Sequence, residues 1–259
     1  MKLIIVTQKD YFFIPNNIEK IINRYGKDSV QLIIEIKSKG SINSKKSLFI
    51  RGFGLKQTLK YGTKVLSKKL QIILSITGFF KRSALSTSNV ARKNKIQFKR
   101  VENINGFKIL KELETINPDL IISFSAPVIF KKRLLNIPKL GCINLHCSFL
   151  PAYSGLFPSF WVLFKKEKFT GCTVHRMDDK IDNGEILKQE KILISPDDSI
   201  YSLLSRTKDL GGNLMSEVIE EIFEDTIKPI QNSNKEENYY TWPTIEELYM
   251  FRKNGGRLI

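Results

Sequence analysis

The hydrophobic positions of this chain follow two alternating periods. Short β-branched runs at Lys2–Val6 (KLIIV) and Val30–Ile36 (VQLIIEI) each predict a buried strand. Between them Ile18, Ile21 and Ile22 stand at i, i+3 and i+4, which predicts a helix over Asn16–Arg24 capped by Asn16 or Asn17. Helical spacing returns from Leu55 to Lys81 through Leu59, Tyr61, Val65, Leu66, Leu70 and Ile73. The centre of this stretch, LQIILSITGFF, lies between Lys68-Lys69 and Lys81-Arg82. Its apolar length suits a buried helix of an α/β domain, and its basic ends suit a membrane surface; the buried reading is adopted.

The pattern continues as strand (Ile96–Phe98), helix (Gly106–Glu114), strand (Asp119–Phe124), helix (about Pro127–Leu135) and strand (Gly141–His146). Such alternation predicts an α/β fold, a mostly parallel twisted sheet with helices on both faces and a ligand crevice beyond the carboxyl ends of its strands. A strand at Gly171–Arg176, a turn-rich segment Met177–Glu185 and a strand at Ile186–Ile194 follow. Asp197-Asp198-Ser199 can cap a long helix to about Phe223, and a polar tail ends in a helix beginning at Thr244 or Ile245. Gly52-Phe53-Gly54, after a run that could be a strand, lacks the third glycine and the lysine of a phosphate loop.

Composition narrows the class. With 259 residues, 42% hydrophobic, and a mean hydropathy of -0.18, the chain suits a soluble globular protein with a real core. No apolar stretch approaches the ~20 residues of a membrane span, and MKLIIVTQKDYFF is too short in its apolar run for a signal peptide. Cys142, Cys147 and Cys172 show neither paired nor metal-like spacing, so a reducing, cytoplasmic setting and no metal are expected. The net charge is +16, and residues 1–110 carry 23 Lys/Arg against 5 Asp/Glu. Such a half can meet nucleic acid, lipid headgroups or phosphorylated substrates. Without an arginine cluster or interleaved aromatics, a lysine-rich solvated surface is the plainer reading, and nucleic acid is not expected.

Candidate chemistry lies in GCINLHCSFLPAYSG, residues 141–155. Side chains alternate along a strand, so Asn144 and His146 share a face while Ile143 and Leu145 point to the core. A carboxamide and an imidazole together can stabilise an oxyanion, and Asp182 could orient the histidine and move a proton through water. No serine or lysine nucleophile accompanies them, and Cys147 falls on the opposite face from His146. Direct attack by a substrate amine on an acyl donor therefore fits best. Each residue also has a structural alternative: a satisfied strand-end histidine, a turn asparagine, and a turn aspartate in Asp182-Asn183-Gly184.

Asn144-Leu145-His146 followed by Ser148-Phe149-Leu150-Pro151-Ala152-Tyr153-Ser154-Gly155 resembles the N-x-H…S-L-L-P signature of the 10-formyltetrahydrofolate-dependent formyltransferases. GCTVHRMDDKIDNGEIL is similar to that family's second signature, and Asp182 stands 38 residues after Asn144. The resemblance runs from about Val90 to Glu224. It implies a Rossmann-like formyltransferase fold over residues 1–224, with a basic helical insert at about 38–90 and a C-terminal extension at 225–259. It also implies a catalytic trio of Asn144, His146 and Asp182, with Asp182 keeping His146 charged. The folate, as 10-formyltetrahydrofolate, would lie against the backbone of Val128, Ile129 and Phe130 and of Asp178, Asp179, Lys180 and Ile181. One departure stands out: many members carry Arg where this chain has Ser154, and that job would then be done differently here.

The family formylates glycinamide ribonucleotide, methionyl-tRNA or nucleotide-linked amino sugars. The glycinamide enzymes lack such an insert, and the methionyl-tRNA enzymes end in a further barrel for which the 36 residues after Phe223 are too few. LFPSFWVLFKKEKFTG looks like the sugar-modifying branch. The expected acceptor is therefore a nucleotide-linked amino sugar for a surface polysaccharide. The alternatives kept open are methionyl-tRNA, glycinamide ribonucleotide and a non-catalytic folate- or partner-binding protein. The aromatic tail could pack on its own domain or on a second subunit, as in a homodimer.

Overall fold

The computed structural model describes residues 1–37, 42–76, 85–233 and 238–259. Five parallel strands form most of the main sheet: β1 (Leu3–Gln8), β2 (Val30–Ile36), β3 (Gln97–Val101), β4 (Leu120–Phe124) and β5 (Cys142–His146). A two-residue strand, β6 (Ser154–Gly155), precedes β7 (Phe169–Arg176) and β8 (Ile186–Leu193), which join the main sheet antiparallel. The seven strands run in the order β3-β2-β1-β4-β5-β7-β8. Near-continuous burial along β1, β2 and β4 follows from helices on both faces.

On one face α1 (Ile14–Tyr25) and α8 (Ile200–Phe223) pack with α4 (Thr87–Asn94) over Leu3, Ile5, Ile33 and Leu145. On the other, α5 (Phe107–Ile116) and α6 (Lys132–Leu135) cover Ile4, Val6, Leu32 and Ile121. A third apolar cluster joins α2 (Ile42–Phe53), α7 (Pro158–Phe164), α8 and α9 (Ile245–Lys253) through Phe53, Phe160, Trp161, Ile200, Leu248 and Phe251. The tail returns to the body: β9 (Tyr239–Tyr240) pairs with β6, and Trp161 Nε1 donates to the Thr241 carbonyl at 3.0 Å.

Several expectations are corrected by local bonding. Asp10 begins α1, its Oδ1 accepting from the N–H groups of Phe12, Phe13 and Ile14 at 2.8, 2.7 and 3.1 Å. Asn17 instead lies inside the helix and donates to the Lys208 carbonyl at 3.0 Å. The helix expected from Pro127 is confined to Lys132–Leu135. Asn105 holds the preceding segment open, accepting from the Lys131 N–H at 2.8 Å and donating to the Ile129 carbonyl at 3.0 Å. Gly52-Phe53-Gly54 follows no strand; it ends α2, and Gly54, at φ +81°, turns the chain into α3 (Leu55–Ile76).

The helix expected over Leu55–Lys81 is present as α3, and its last expected residues, 77–81, lie outside the described ones. It is not a core helix. Tyr61 turns inward against Phe12 and Phe49, while Leu55, Leu59, Leu66, Leu70 and Ile73 face solvent. Of Asp197-Asp198-Ser199, expected to cap the long helix, Ser199 is the N-cap of α8, and it forms a capping box with Ser202.

That helix crosses β5 closely. A Cβ at Gly211 would stand 2.6 Å from Leu145 Cδ1, inside contact distance. Gly211→Val is therefore expected to destabilise the fold by about 1–3 kcal/mol in a chemical denaturation experiment.

Candidate active site

The site forms where β5 ends. Its antiparallel partner β7 places His175 opposite Asn144, so the chain's two histidines converge on one side of the sheet. The Tyr153 carbonyl accepts a hydrogen bond from His146 Nε2 at 2.9 Å. That assigns a hydrogen to Nε2 and leaves Nδ1 facing Asp182 Oδ2 at 3.3 Å. His175 Nδ1 donates to the Arg176 carbonyl at 2.7 Å, so Nε2 can accept from Asn144 Nδ2 at 3.2 Å. The carboxamide is thereby fixed with a second N–H that can be given to a ligand oxygen.

Asp182 reaches this pair from the loop after β7. Its backbone stands at φ +48°, its Oδ2 accepts from the Gly155 N–H at 2.8 Å, and its Oδ1 lies 3.5 Å from His175 Nε2. Asn232 donates to the Asp182 and Gly184 carbonyls at 2.9 and 3.2 Å, holding the turn from the tail side. Gly184 is demanded by space, because a Cβ there would stand 2.0 Å from the Arg176 carbonyl oxygen.

Burial sets the charges. It raises the Asp182 carboxyl, but the histidines and the Gly155 N–H outweigh it and hold Asp182 well below the usual carboxylate range. For His146, burial lowers the imidazole, and the opposing pull of Asp182 and the Tyr153 carbonyl does not restore it. Burial thus pulls the His146 imidazole toward its neutral form, while an acceptor at each ring nitrogen, the Tyr153 carbonyl at Nε2 and the Asp182 carboxylate at Nδ1, pulls it toward the cation.

Two cavities adjoin at this pair. One, of about 390 Å³, is lined by Val128, Ile129, Phe130, Asn144, His175 and Asp182, together with Asp178, Lys180 and Ile181. The Phe130 side chain is buried in the core below. Asp178 shapes the second wall, accepting from the Lys180 N–H at 3.0 Å and from Asn183 Nδ2 at 2.9 Å. Of the residues expected to hold folate, Asp179 alone lies elsewhere, in a neighbouring depression with Lys132 and Arg176. The second cavity, of about 380 Å³, opens on His146 and is lined by Asp10, Ser125, Phe157, Lys208 and Trp242. Among the described residues no group of three or more His, Cys, Asp or Glu side chains converges as metal ligands would.

Sequence reasoning did not single out Lys208, which is buried on the inner face of α8 with its Nζ bonded to Ser125 Oγ. A lysine among apolar positions of a core-facing helix is a signal that could have found it. Nor did it give His175 a role, although it lies in the second signature. Ser154, where arginine had been noted in relatives, is buried and donates to the Asn238 carbonyl at 3.0 Å, joining the loop to the tail.

Comparison with known proteins shows the family of the chain. The chain is 35% identical over 189 residues to the bifunctional polymyxin resistance protein ArnA of Wigglesworthia glossinidia brevipalpis, covering 72% of this chain and 28% of that one. It is 38% identical over 141 residues to the methionyl-tRNA formyltransferase of Clostridium botulinum, covering 54% and 45% respectively. The chain thus spans less than half the length of either relative. Among solved structures, an N-formyltransferase of Helicobacter canadensis, in complex with folinic acid and dTDP-3-aminofucose, superposes with a TM-score of 0.62. Its identity is 19%, with 100% of this chain and 84% of that one covered, a likeness of fold. The formyl transferase family model matches residues 62–219, through β5, β7 and most of α8, and the chain belongs to that family.

Proposed function

We propose that this protein transfers a formyl group from 10-formyltetrahydrofolate to the amine of a nucleotide-linked amino sugar. The carrying observation is the placement of Asn144, His146 and Asp182 where two cavities meet, with donors and a base between them. The donor supplies the formyl carbon. Its pterin would lie in the cavity walled by residues 128–130 and 178–181, where exposed loop backbone can read a heterocycle's edge.

Asn144 gives its second N–H to the formyl oxygen as negative charge grows there. Attack by the amine gives a tetrahedral intermediate; a neutral His146 takes the proton the amine loses, Asp182 stabilises the resulting imidazolium, and the proton passes to N10 as the C–N10 bond breaks and tetrahydrofolate leaves. The Gly155 N–H and Asn232 keep that carboxylate in place. No residue needs to be acylated.

The acceptor cavity favours a phosphorylated sugar. Lys208 places a cation in it, and Trp242, stacked on Phe157 with ring centroids 4.5 Å apart, gives it a flat apolar wall. The structural neighbour with a bound dTDP-amino sugar supports the same reading. A second reading, formylation of methionyl-tRNA, is favoured by the sequence relatives of that name and by the basic first half.

The deciding experiment follows tetrahydrofolate release with dTDP- and UDP-linked amino sugars, glycinamide ribonucleotide and methionyl-tRNA as acceptors. Turnover with one sugar nucleotide is expected; turnover with methionyl-tRNA alone would replace the reading. Asn144→Ala, His146→Ala and Asp182→Ala should each lower kcat about 10²–10³-fold with the fold intact. Lys208→Met should raise KM for an acceptor bearing phosphates more than it lowers kcat.

The His146 shift also predicts an acid limb of stability. The native state holds the imidazole below its unfolded value of 6.5, so it binds fewer protons than the unfolded chain in that region. Stability is therefore present above about pH 6.5 and lost as pH falls below it, with Asp182 adding a further loss only in strong acid. His146→Gln should flatten the upper part of that decline in denaturant titrations at stepped pH.

A further inference from the structure

Helix α3 carries a surface for which the proposed chemistry has no use. Its 22 residues span about 33 Å. Leu55, Leu59, Leu66, Leu70 and Ile73 fall within an arc of about 60° on its outer side. Each is between 57 and 66% exposed, an unusual density of large apolar side chains in water. The inner side fixes this orientation. Tyr61 packs on Phe12 and Phe49, the Thr58 hydroxyl donates to the Phe49 and Gly54 carbonyls, and Gln57 accepts from the Leu258 N–H.

Charge completes the pattern. The helix holds Lys56, Lys60, Lys64, Lys68 and Lys69 and no acidic residue, and between Glu35 and Glu102 the chain has 17 Lys/Arg and no Asp or Glu. On the helical wheel Lys56 and Lys60 border one edge of the apolar arc and Lys69 the other.

We infer that α3 docks the protein on an anionic lipid surface, its leucine stripe in the headgroup–acyl boundary and the flanking Lys56, Lys60 and Lys69 on lipid phosphates. Such a surface satisfies both halves of the pattern at once. An RNA would pair the lysines and leave the stripe in water. A second copy would cover the stripe but bring two all-basic helices together. The helix lies on the membrane and does not cross it, since no helix among the described residues is long and apolar enough to span.

The test is co-sedimentation of the full chain with phosphatidylcholine vesicles, with and without phosphatidylglycerol. Binding to the anionic vesicles is expected to exceed binding to the neutral ones at least about tenfold and to weaken with salt. The exposed triple variant Leu59→Glu, Leu66→Glu, Leu70→Glu should abolish it without changing thermal unfolding. Leu66→Cys carrying an environment-sensitive fluorophore reports depth, since native Cys142, Cys147 and Cys172 are buried. Its emission should shift to the blue on anionic vesicles alone. The inference is overturned if anionic vesicles are not bound, or if the triple variant binds them as well as the parent. Dimerisation lost in the triple variant, or RNA binding indifferent to it, would overturn the inference where vesicle binding is absent.

Discussion

The antiparallel pairing of β5 with β7 is the contact on which the candidate site depends. Its register sets Asn144 across from His175 and brings the loop after β7 back over the end of β5. A slip of one residue would turn Asn144 and His146 toward the core and put Ile143 in their place. The core forbids that slip, because Ile143 and Leu145 are buried among Val174, Leu214 and Val218. Leu145 in turn fills the space that Gly211 leaves on α8. Packing on one face of the strand therefore determines chemistry on the other.

Charge at the site follows from the same burial. A carboxylate withdrawn from water persists only where a donor replaces its hydration: the Gly155 N–H donates to Asp182 Oδ2, and two imidazole rings that can take up a proton lie within 3.5 Å of the carboxylate. The left-handed backbone of Asp182 is tolerated because Asn232 and the tight approach of Gly184 hold the turn. An imidazole buried beside a fixed anion can hold a proton, since the charge it carries is met by one already present. The cost of placing these groups is borne by the fold, before any ligand arrives.

Much of this was legible in the chain. Strands with two buried faces announce themselves as apolar runs, and Val30–Ile36 was read to the residue. The two long signatures brought Asn144, His146 and Asp182 forward together, although periodicity alone left each with an ordinary turn or strand-end reading. What was not legible depended on side chains from elsewhere. Asp10 begins α1 across a bend, Asn105 keeps residues 127–131 from coiling, and Lys208 meets Ser125 across 83 positions. No local window contains both Asn105 and Lys131, or both Ser125 and Lys208; Asp10 lies within a few residues of its partners but outside the helix that the spacing marked.

The misreading of α3 has a different origin. Its heptad-like leucines predict an amphipathic helix correctly, but periodicity reports only that one face differs from the other. It does not say whether the apolar face meets the protein's own core. Here aromatic and hydroxyl groups occupy the inner side, so Tyr61 and Thr58 dock the helix and the leucines are left over. The absence of acidic residues from Ile36 to Val101 carries information that the apolar pattern lacks. A helix packed within its own domain is ordinarily balanced by charges of both signs on its solvent side, whereas a helix whose charged positions are all basic is complementary to something anionic outside the chain. Charge sign along the polar face, read together with the apolar spacing, distinguishes a helix that completes a core from one that offers a surface.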